Sequence, residues 1–580
     1  MTVLSDKPVE TELTPEAQAW NGVVDDIKKL VTIQTWRSGS NEQAVQDALT
    51  SIKKHFDDKV GEFNQSDNPH KISKDEWNTK DGDKVYRVFR YIAGSEDKEK
   101  RKISIICHLD TVPPGNDEWR PFAPRVETRV YKGVPTEFLI GRGSIDDKGP
   151  AVVAFDALIN ALNAAKDQKT ALDNLTLEVM FDTSEETNMS TPVYFKNYPD
   201  KIPTMGIVFD AFWSVRAEKG VERPIFSISS SDVPDSKSPD LWIADLKTSS
   251  GSVNMIPVTA SATIKGSLHL LELFAKHVDA WYRACTFDDP NYHPADIEIT
   301  EGHDLVITAK VAGAQHGSAP HQNRANGANP VVSLTNFLAT LIDRGILANN
   351  QYGEMCRFIR WAFGTKVFGE NQADLLSRYD SIFEEGNGTT YALTQLTTSN
   401  NGSTVNLGLD IRYAIGHHER GWDGSEGVIK DEKGEIVGKS LFAQIFKQLV
   451  KRYKSEYAGG NVTFTTVTLD GPDIRSPRNQ YLFRMNTAYR AVMGENCPMQ
   501  AIGGGTDAHG YPTLVTAGAL FTDDLGPPIN YHGLDEGAPL IDLKNSGKIL
   551  LNVLLQELAI PTQSPKLHYE GVHHCCGCCN

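Results

Sequence analysis

The stretch KISIICHLDTV, residues 102–112, decides how the chain is read. Its first half, KISIIC, is the near-continuous apolar run of a strand covered on both faces, and it ends in His108-Leu-Asp110. Residues two apart on a strand point the same way, so His108 and Asp110 share a face, and a carboxylate so placed can orient the imidazole of a metal ligand. Alone, such a pair is more often a structural hydrogen bond, so the reading depends on its surroundings. Upstream, 85–93 reads as a second strand, and EAQAWNGVVDDIKKLVTI (16–33) carries Val23, Val24, Ile27, Leu30 and Val31 on one side at helical spacing. Downstream, AVVAFDALINALNAA (151–165) reads as a helix, while LTLEVMFDT (175–183) and TMGIVFDA (204–211) read as two more buried strands. The pattern predicts a central α/β sheet with ligands bound beyond the carboxyl ends of its strands.

Polar islands stand where such strands end. GRGSIDDKG (141–149) is a glycine-rich strand-to-helix turn that sets Asp146 and Asp147 side by side near a helix N-terminus, where the helix dipole alone would favour anions. SEE (184–186) adds Glu185 and Glu186 after the strand 175–183, and VFDA (208–211) adds Asp210. So many acids at one sheet edge repel one another unless cations neutralise them, and hard divalent ions held by N and O ligands do this.

At 580 residues the chain exceeds what one core usually organises, so two or three domains are expected. From about Trp213 the texture changes: a Ser-, Pro- and Asp-rich stretch (227–240) gives way to mixed strands and the helix 329–343. An α+β insertion follows, closing with the strand 403–415, the helix 439–458 and the strand 461–469, and helices at 479–494 and 541–559 then resume the first texture. There is no internal repeat and no coiled coil. The excess of 75 Asp and Glu over 58 Lys and Arg, a net charge of −17, disfavours nucleic acid as a partner. No basic flank followed by an apolar run opens the chain and no long apolar window occurs, so a cytoplasmic protein with no membrane partner is expected. Single cysteines at 107, 285, 356 and 497 suit free thiols in a reducing compartment. The tail bears His573, His574, Cys575, Cys576, Cys578 and Cys579, a set able to bind a soft metal or simply a disordered terminus.

HLDTVPPG, GRGSIDDKG, SEE and VFDA, in that order and at this spacing, resemble the di-zinc exopeptidases, the family that includes PepV-type dipeptidases, carnosinase, aminoacylase and glutamate carboxypeptidase; the likeness runs from about residue 15 to 560 and is nearest to the PepV type. The resemblance implies a metallopeptidase catalytic domain interrupted by an α+β lid or dimerisation-like domain: a flexible N-terminus at 1–15, catalytic parts at 16–212 and 471–562, the lid at 213–470 and a tail at 563–580. It implies two divalent ions, zinc foremost with cobalt or manganese admitted. His108 and Asp210 would bind one ion, Glu186 and His532 (in NYHGLDEG) the other, and Asp146 would bridge both. Glu185 would be the general base and Asp110 the partner of His108. In the lid, NMIP, QHGSAP and DIRY match substrate-handling segments, so Asn254 and Arg412 would bind substrate and His316 would stabilise an oxyanion. GGGTDAH (503–509) would meet the substrate's carboxylate end through Gly504 and Thr506.

The chain departs from the family at Ser184, at His532-Gly-Leu-Asp535-Glu536 and in its longer lid. The implied activity is cleavage of dipeptides, with removal of an acyl group from an amino acid as the alternative on the same metals. A non-catalytic scaffold would have no need of a general base beside the ligands, and a metal-storage role would rest on the tail alone. Monomeric and homodimeric relatives both exist, which leaves the assembly open.

Overall fold

The run at 103–107 forms the strand Arg101–His108, paired in parallel with Leu175–Asp182 on one side and Met205–Phe209 on the other. This structure, a computed structural model, describes residues 15–561 except 98, 233–240, 250–252, 312–314, 319–328, 376–387, 414–426, 431–435, 441, 458–460, 467, 477 and 523. The tail cluster His573–Cys579 therefore lies outside the described residues. Leu514–Ala517 continues the parallel core beside Met205–Phe209. One edge is extended antiparallel by Lys84–Ala93 and Ile72–Asp81. The other carries Val215–Glu218 with Asp473–Ile474 and Gln500–Ile502. Among the described residues nine strands make up this mixed sheet.

Strand alternation explains how the two faces are covered. Ile103, Ile105 and Cys107 enter a core with Ile27, Leu49, Leu158 and Leu550, contributed by the helices Pro15–Val31, Glu42–Gln65, Lys148–Ala164 and Leu540–Glu557. Ile106 points the other way, to Val88, Met180 and Val208, where Tyr194 and Phe195 of the short helix Ser190–Asn197 cover it. Both faces being dry, the central strands can be apolar almost throughout.

A second body has its own core around Phe226, Phe337, Phe358, Leu407 and Phe446. The strand Thr404–Tyr413 is its axis, paired with Ile225–Ser229, Thr390–Ser399 and Gly220–Glu222. A four-stranded antiparallel sheet lies in the same body, ordered Leu241–Thr248, Thr259–Gly266, Leu305–Lys310, Asp296–Glu301.

The change of sheet comes later than the change of texture. Trp213 is buried in the first core against Tyr489 and Phe521, and Val215–Glu218 still belongs to the large sheet. The next strand, Gly220–Glu222, is in the second body, so Lys219 is the hinge between the two sheets. Two local expectations also shift. The helix expected from 439 begins at Ala443, because Ile436–Ser440 pairs as a strand with Gly427–Lys430. The strand expected over 461–469 is two, Thr463–Thr465 and Thr468–Asp470, which pair with different neighbours.

Candidate active site

Three parallel strands deliver the first set of side chains. His108 is the last residue of Arg101–His108, Glu185 and Glu186 follow Leu175–Asp182 by a short turn, and Asp210 follows Met205–Phe209. Asp146 arrives from the turn before Lys148–Ala164, and His532 from a loop in which its own φ is 60°. Asp146 lies between the two histidines: Oδ1 is 2.8 Å from Nε2 of His108, and Oδ2 is 2.5 Å from Nε2 of His532. Asp210 lies 3.7 Å from His108 Nε2, and Glu186 lies 3.2 Å from His532 Nε2. Two donor sets thus share Asp146, one through each carboxylate oxygen.

The donor set fits divalent cations. His108, Asp146 and Glu186 bring ligand atoms within 4.8 Å of one another, and so do His108, Glu185 and Asp210. Asp146 Oδ2 and Glu186 Oε1 are buried and make no well-directed hydrogen bond among the described residues, although His532 Nε2 lies 2.5 and 3.2 Å from them. Buried carboxylate oxygens are normally satisfied, and a cation would complete the bonding here. The protonation energetics carry the same strain. Burial, with Asp210 beside it, raises Glu185 well above the usual carboxylate range. Burial lifts Glu186 to about 7 although His532 opposes it. For His532 burial disfavours the charge, but Glu186 and Asp146 outweigh it and raise the imidazole to about 10.

The site opens into a cavity of about 740 Å³ lined from both bodies, within the size range of small-molecule sites. The large sheet contributes Asp146, Glu185, Glu186 and Asp210, and the second body contributes Val221, Arg223, Asn254, His316 and Arg412. Met255–Ile256 pairs with Gln315–His316, which holds Asn254 and His316 together, and the ring of His316 is 5.0 Å from that of His532. The Ser318 backbone N–H donates to His316 Nδ1 over 3.1 Å, so the neutral ring carries its proton on Nε2. Burial and the neighbouring His532 keep that ring neutral by pushing its pKa well down. Asn254 Oδ1 has no hydrogen-bond donor among the described residues. Arg412 donates from Nε to Asp410 (2.9 Å) and from Nη1 to the Gly503 carbonyl (3.2 Å).

The glycine-rich loop borders the same cavity, Gly504 and Thr506 included. A Cβ on Gly503 would stand 2.7 Å from the Ser318 carbonyl oxygen, so only glycine lets loop and lid approach this closely. The Thr506 hydroxyl is engaged behind the cavity wall, donating to Glu218 (2.7 Å), and its N–H also donates to Glu218 (3.1 Å). Glu218 thereby holds the loop and engages the Thr506 hydroxyl.

A profile of Peptidase family M20/M25/M40 matches residues 105–556. The chain belongs to this family. It is a hydrolase of peptide bonds whose described residues include candidate metal ligands. A predicted dipeptidase of Staphylococcus saprophyticus subsp. saprophyticus is 24% identical over 512 residues, spanning 86% of this chain and 90% of its own length. A predicted dipeptidase of Staphylococcus aureus (strain USA300) is 26% identical over 508 residues with the same coverages. Among solved structures, human carnosine dipeptidase 1 matches with a TM-score of 0.48 at 12% identity, covering 94% of this chain and 97% of that one. The dipeptidase Dug1p of Saccharomyces cerevisiae matches with a TM-score of 0.49 at 13% identity and the same coverages. Among the described residues of this peptidase no helix is long and apolar enough to cross a membrane.

Arg37, Arg142 and Tyr531, which motif reading did not single out, join the named residues around the candidate ligands. Asp110 faces the His108 ring with its backbone carbonyl nearer than its carboxylate. The Nδ1 of His108 is 3.1 Å from the Asp110 backbone carbonyl and 3.5 Å from Oδ1. The carboxylate instead accepts the Glu185 N–H (3.0 Å) and Arg37 Nη1 (3.1 Å), and Arg37 also donates to the Thr183 carbonyl (2.7 Å). Asp147 accepts the His108 backbone N–H (2.9 Å), while Tyr531 donates to Asp210 (3.0 Å). Glu536 pairs with Arg142 and accepts the Gly143 N–H (2.9 Å), so the last residue of the His532 motif supports the turn that bears Asp146. Ser184 sits fully buried with its hydroxyl 2.6 Å from that of Ser190, away from the ligands.

Proposed function

We propose that this peptidase cleaves dipeptides, using two divalent cations, zinc foremost with cobalt or manganese admitted by the N/O donors. The observation that carries the reading is Asp146, with its two oxygens directed to two different histidines. His108, Asp146 and Asp210 would hold one ion, and Asp146, Glu186 and His532 the other. Cations there would supply Lewis-acid polarisation of the scissile carbonyl and a more acidic water.

Glu185, raised in pKa yet part of an acidic cluster, takes the proton of the attacking water and returns it to the leaving amine. The Nε2–H of His316 donates to the oxygen that gains charge in the transition state. Asn254 offers its amide oxygen to the substrate backbone, Gly504 lets the substrate approach the loop, and Arg412 binds the carboxylate of the departing amino acid. Asp110 and Arg37 position Glu185 through its backbone N–H. The second body, from Gly220 to Asp470, acts as a lid over the catalytic part; monomer and homodimer both remain compatible with this arrangement. The test is elemental analysis of the purified protein with a panel of dipeptides and N-acyl amino acids. About two ions per chain and faster turnover of dipeptides support the reading, and absence of metal together with no turnover removes it.

A further inference from the structure

Tyr531 touches a ligand of each donor set and belongs to neither. It precedes His532 in the chain, is half-buried and lines the cavity. Its hydroxyl donates to Asp210 Oδ1 over 3.0 Å. The other oxygen of that carboxylate, Oδ2, is the one near His108, 3.7 Å from Nε2. A phenol has one proton to give, and here it is directed at a carboxylate. The two oxygens of Asp210 are thereby made unequal: a neutral donor engages one, and the other is left to the donor set that includes His108. The ring of the same tyrosine lies against the imidazole of His532, with centroids 4.9 Å apart and planes inclined by 26°. His532 faces Asp146 and Glu186, so this second contact bears on the other donor set.

We propose that Tyr531 is a positioning residue for both ions. Its hydroxyl occupies Asp210 Oδ1 and so reserves Oδ2 for the first ion, while its ring braces the His532 imidazole on the second. This rests on the two-ion reading of the site and is independent of the choice of substrate. Groups that orient metal ligands typically change metal affinity by about 10- to 100-fold, so the effect is read in binding, without turnover. The two contacts can be removed in turn: Tyr531→Phe deletes the hydroxyl alone, and Tyr531→Leu deletes hydroxyl and ring.

The experiment titrates zinc into the metal-free full chain against a chromophoric chelator, for the wild type and for Tyr531→Phe, Tyr531→Leu, Asp210→Asn and Glu186→Gln. The last two variants assign the binding steps, one to each donor set. Tyr531→Phe should weaken the step that Asp210→Asn weakens, by about 10- to 100-fold, and leave the other unchanged, whereas Tyr531→Leu should weaken both. In the cobalt-loaded chain the visible absorption should change in Tyr531→Phe, because Asp210 Oδ1, released from the phenol, becomes free to join the coordination. A residue serving only the fold would move both steps together or neither. Either result in Tyr531→Phe overturns the assignment and leaves the two-ion reading intact. A wild type that binds no zinc removes the two-ion reading and this assignment with it. Two resolved steps with the expected selectivity, but no dipeptide cleaved, keep the role of Tyr531 and remove only the dipeptidase reading.

Discussion

In one part of the cavity four carboxylates, Asp146, Glu185, Glu186 and Asp210, converge with two histidines; in another, Arg223 and Arg412 flank Asp410, and Lys219 also lines the wall. Each end carries an excess of one sign, and each excess points to what is to be bound there. The acidic end sits on strand termini of one sheet and invites cations, whereas the basic end is assembled between two sheets and invites an anion. In the proposed reading a peptide with a free carboxylate would span them, its scissile bond at the first and its charged end at the second.

The largest effect should come from breaking the acidic end at the residue both donor sets share. Asp146→Ala should reduce bound metal from about two ions per chain to fewer than one and abolish turnover, since ligand loss is loss of binding free energy. Asp147→Ala should lose less metal, because Asp147 holds the His108 backbone and sits behind the ligands. Elemental analysis after dialysis decides, and equal losses would reassign the bridge. Next in size is Glu185→Gln, which should keep its metal and lower kcat by on the order of 10² to 10⁴, the usual contribution of a general base. More than half of wild-type activity in this variant would put the base elsewhere.

Between the ends stands the lid's contribution. His316→Ala should lower kcat by about 10², the usual cost of losing one oxyanion donor, and leave metal content unchanged. Arg412→Ala should act mainly on KM, since that contact exists in both ground and transition states. Metal loss in either variant would mean that these side chains support the ligands, and normal kinetics in both would place the whole reaction in the large sheet.

The two ends also differ in how far they could be read from the sequence. His108, Asp146, Glu185, Glu186 and Asp210 each follow an apolar strand or a glycine-rich turn, so local pattern located them. His532 came from family likeness, and the contact that supports the end of its motif, Glu536 with Arg142, joins residues far apart in the chain. Arg37 meets Asp110 across 73 positions, and Glu218 meets Thr506 across 288. No local periodicity encodes such pairs. Thr506 shows the limit most clearly: its motif placed it at the cavity, but which way its hydroxyl turned depended on Glu218, a residue of a strand that reads as part of the insertion. Lys219 was illegible for the same reason, since one residue at a change of sheet has no pattern of its own.

The smallest expected effect tests the basic end by pH. Burial and Arg412 lower the Lys219 amine from its ordinary value to about 7 in the free protein, so the ammonium that would add its charge to that of Arg412 predominates below pH 7 and is lost above it. Arg412 is the cation that acts on it; arginine side chains stay charged throughout this range, so the lysine is the group that changes. The sign follows: KM for Ala–Ala should rise as pH goes from 6.5 to 8.5, by roughly threefold to tenfold, because the bound anion itself raises the amine's pKa and blunts the loss. Groups at the acidic end titrate nearby, Glu186 at about 7 among them, but they act alike on Ala–Ala and on its C-terminal amide, which lacks the charged end, and cancel in the ratio of the two KM values. That ratio should therefore climb with pH in the wild type and stay level in Lys219→Met. A flat ratio in the wild type would mean that the amine either keeps its proton throughout or does not act on the substrate, and a ratio that climbs in the variant as well would assign the dependence to a group other than Lys219.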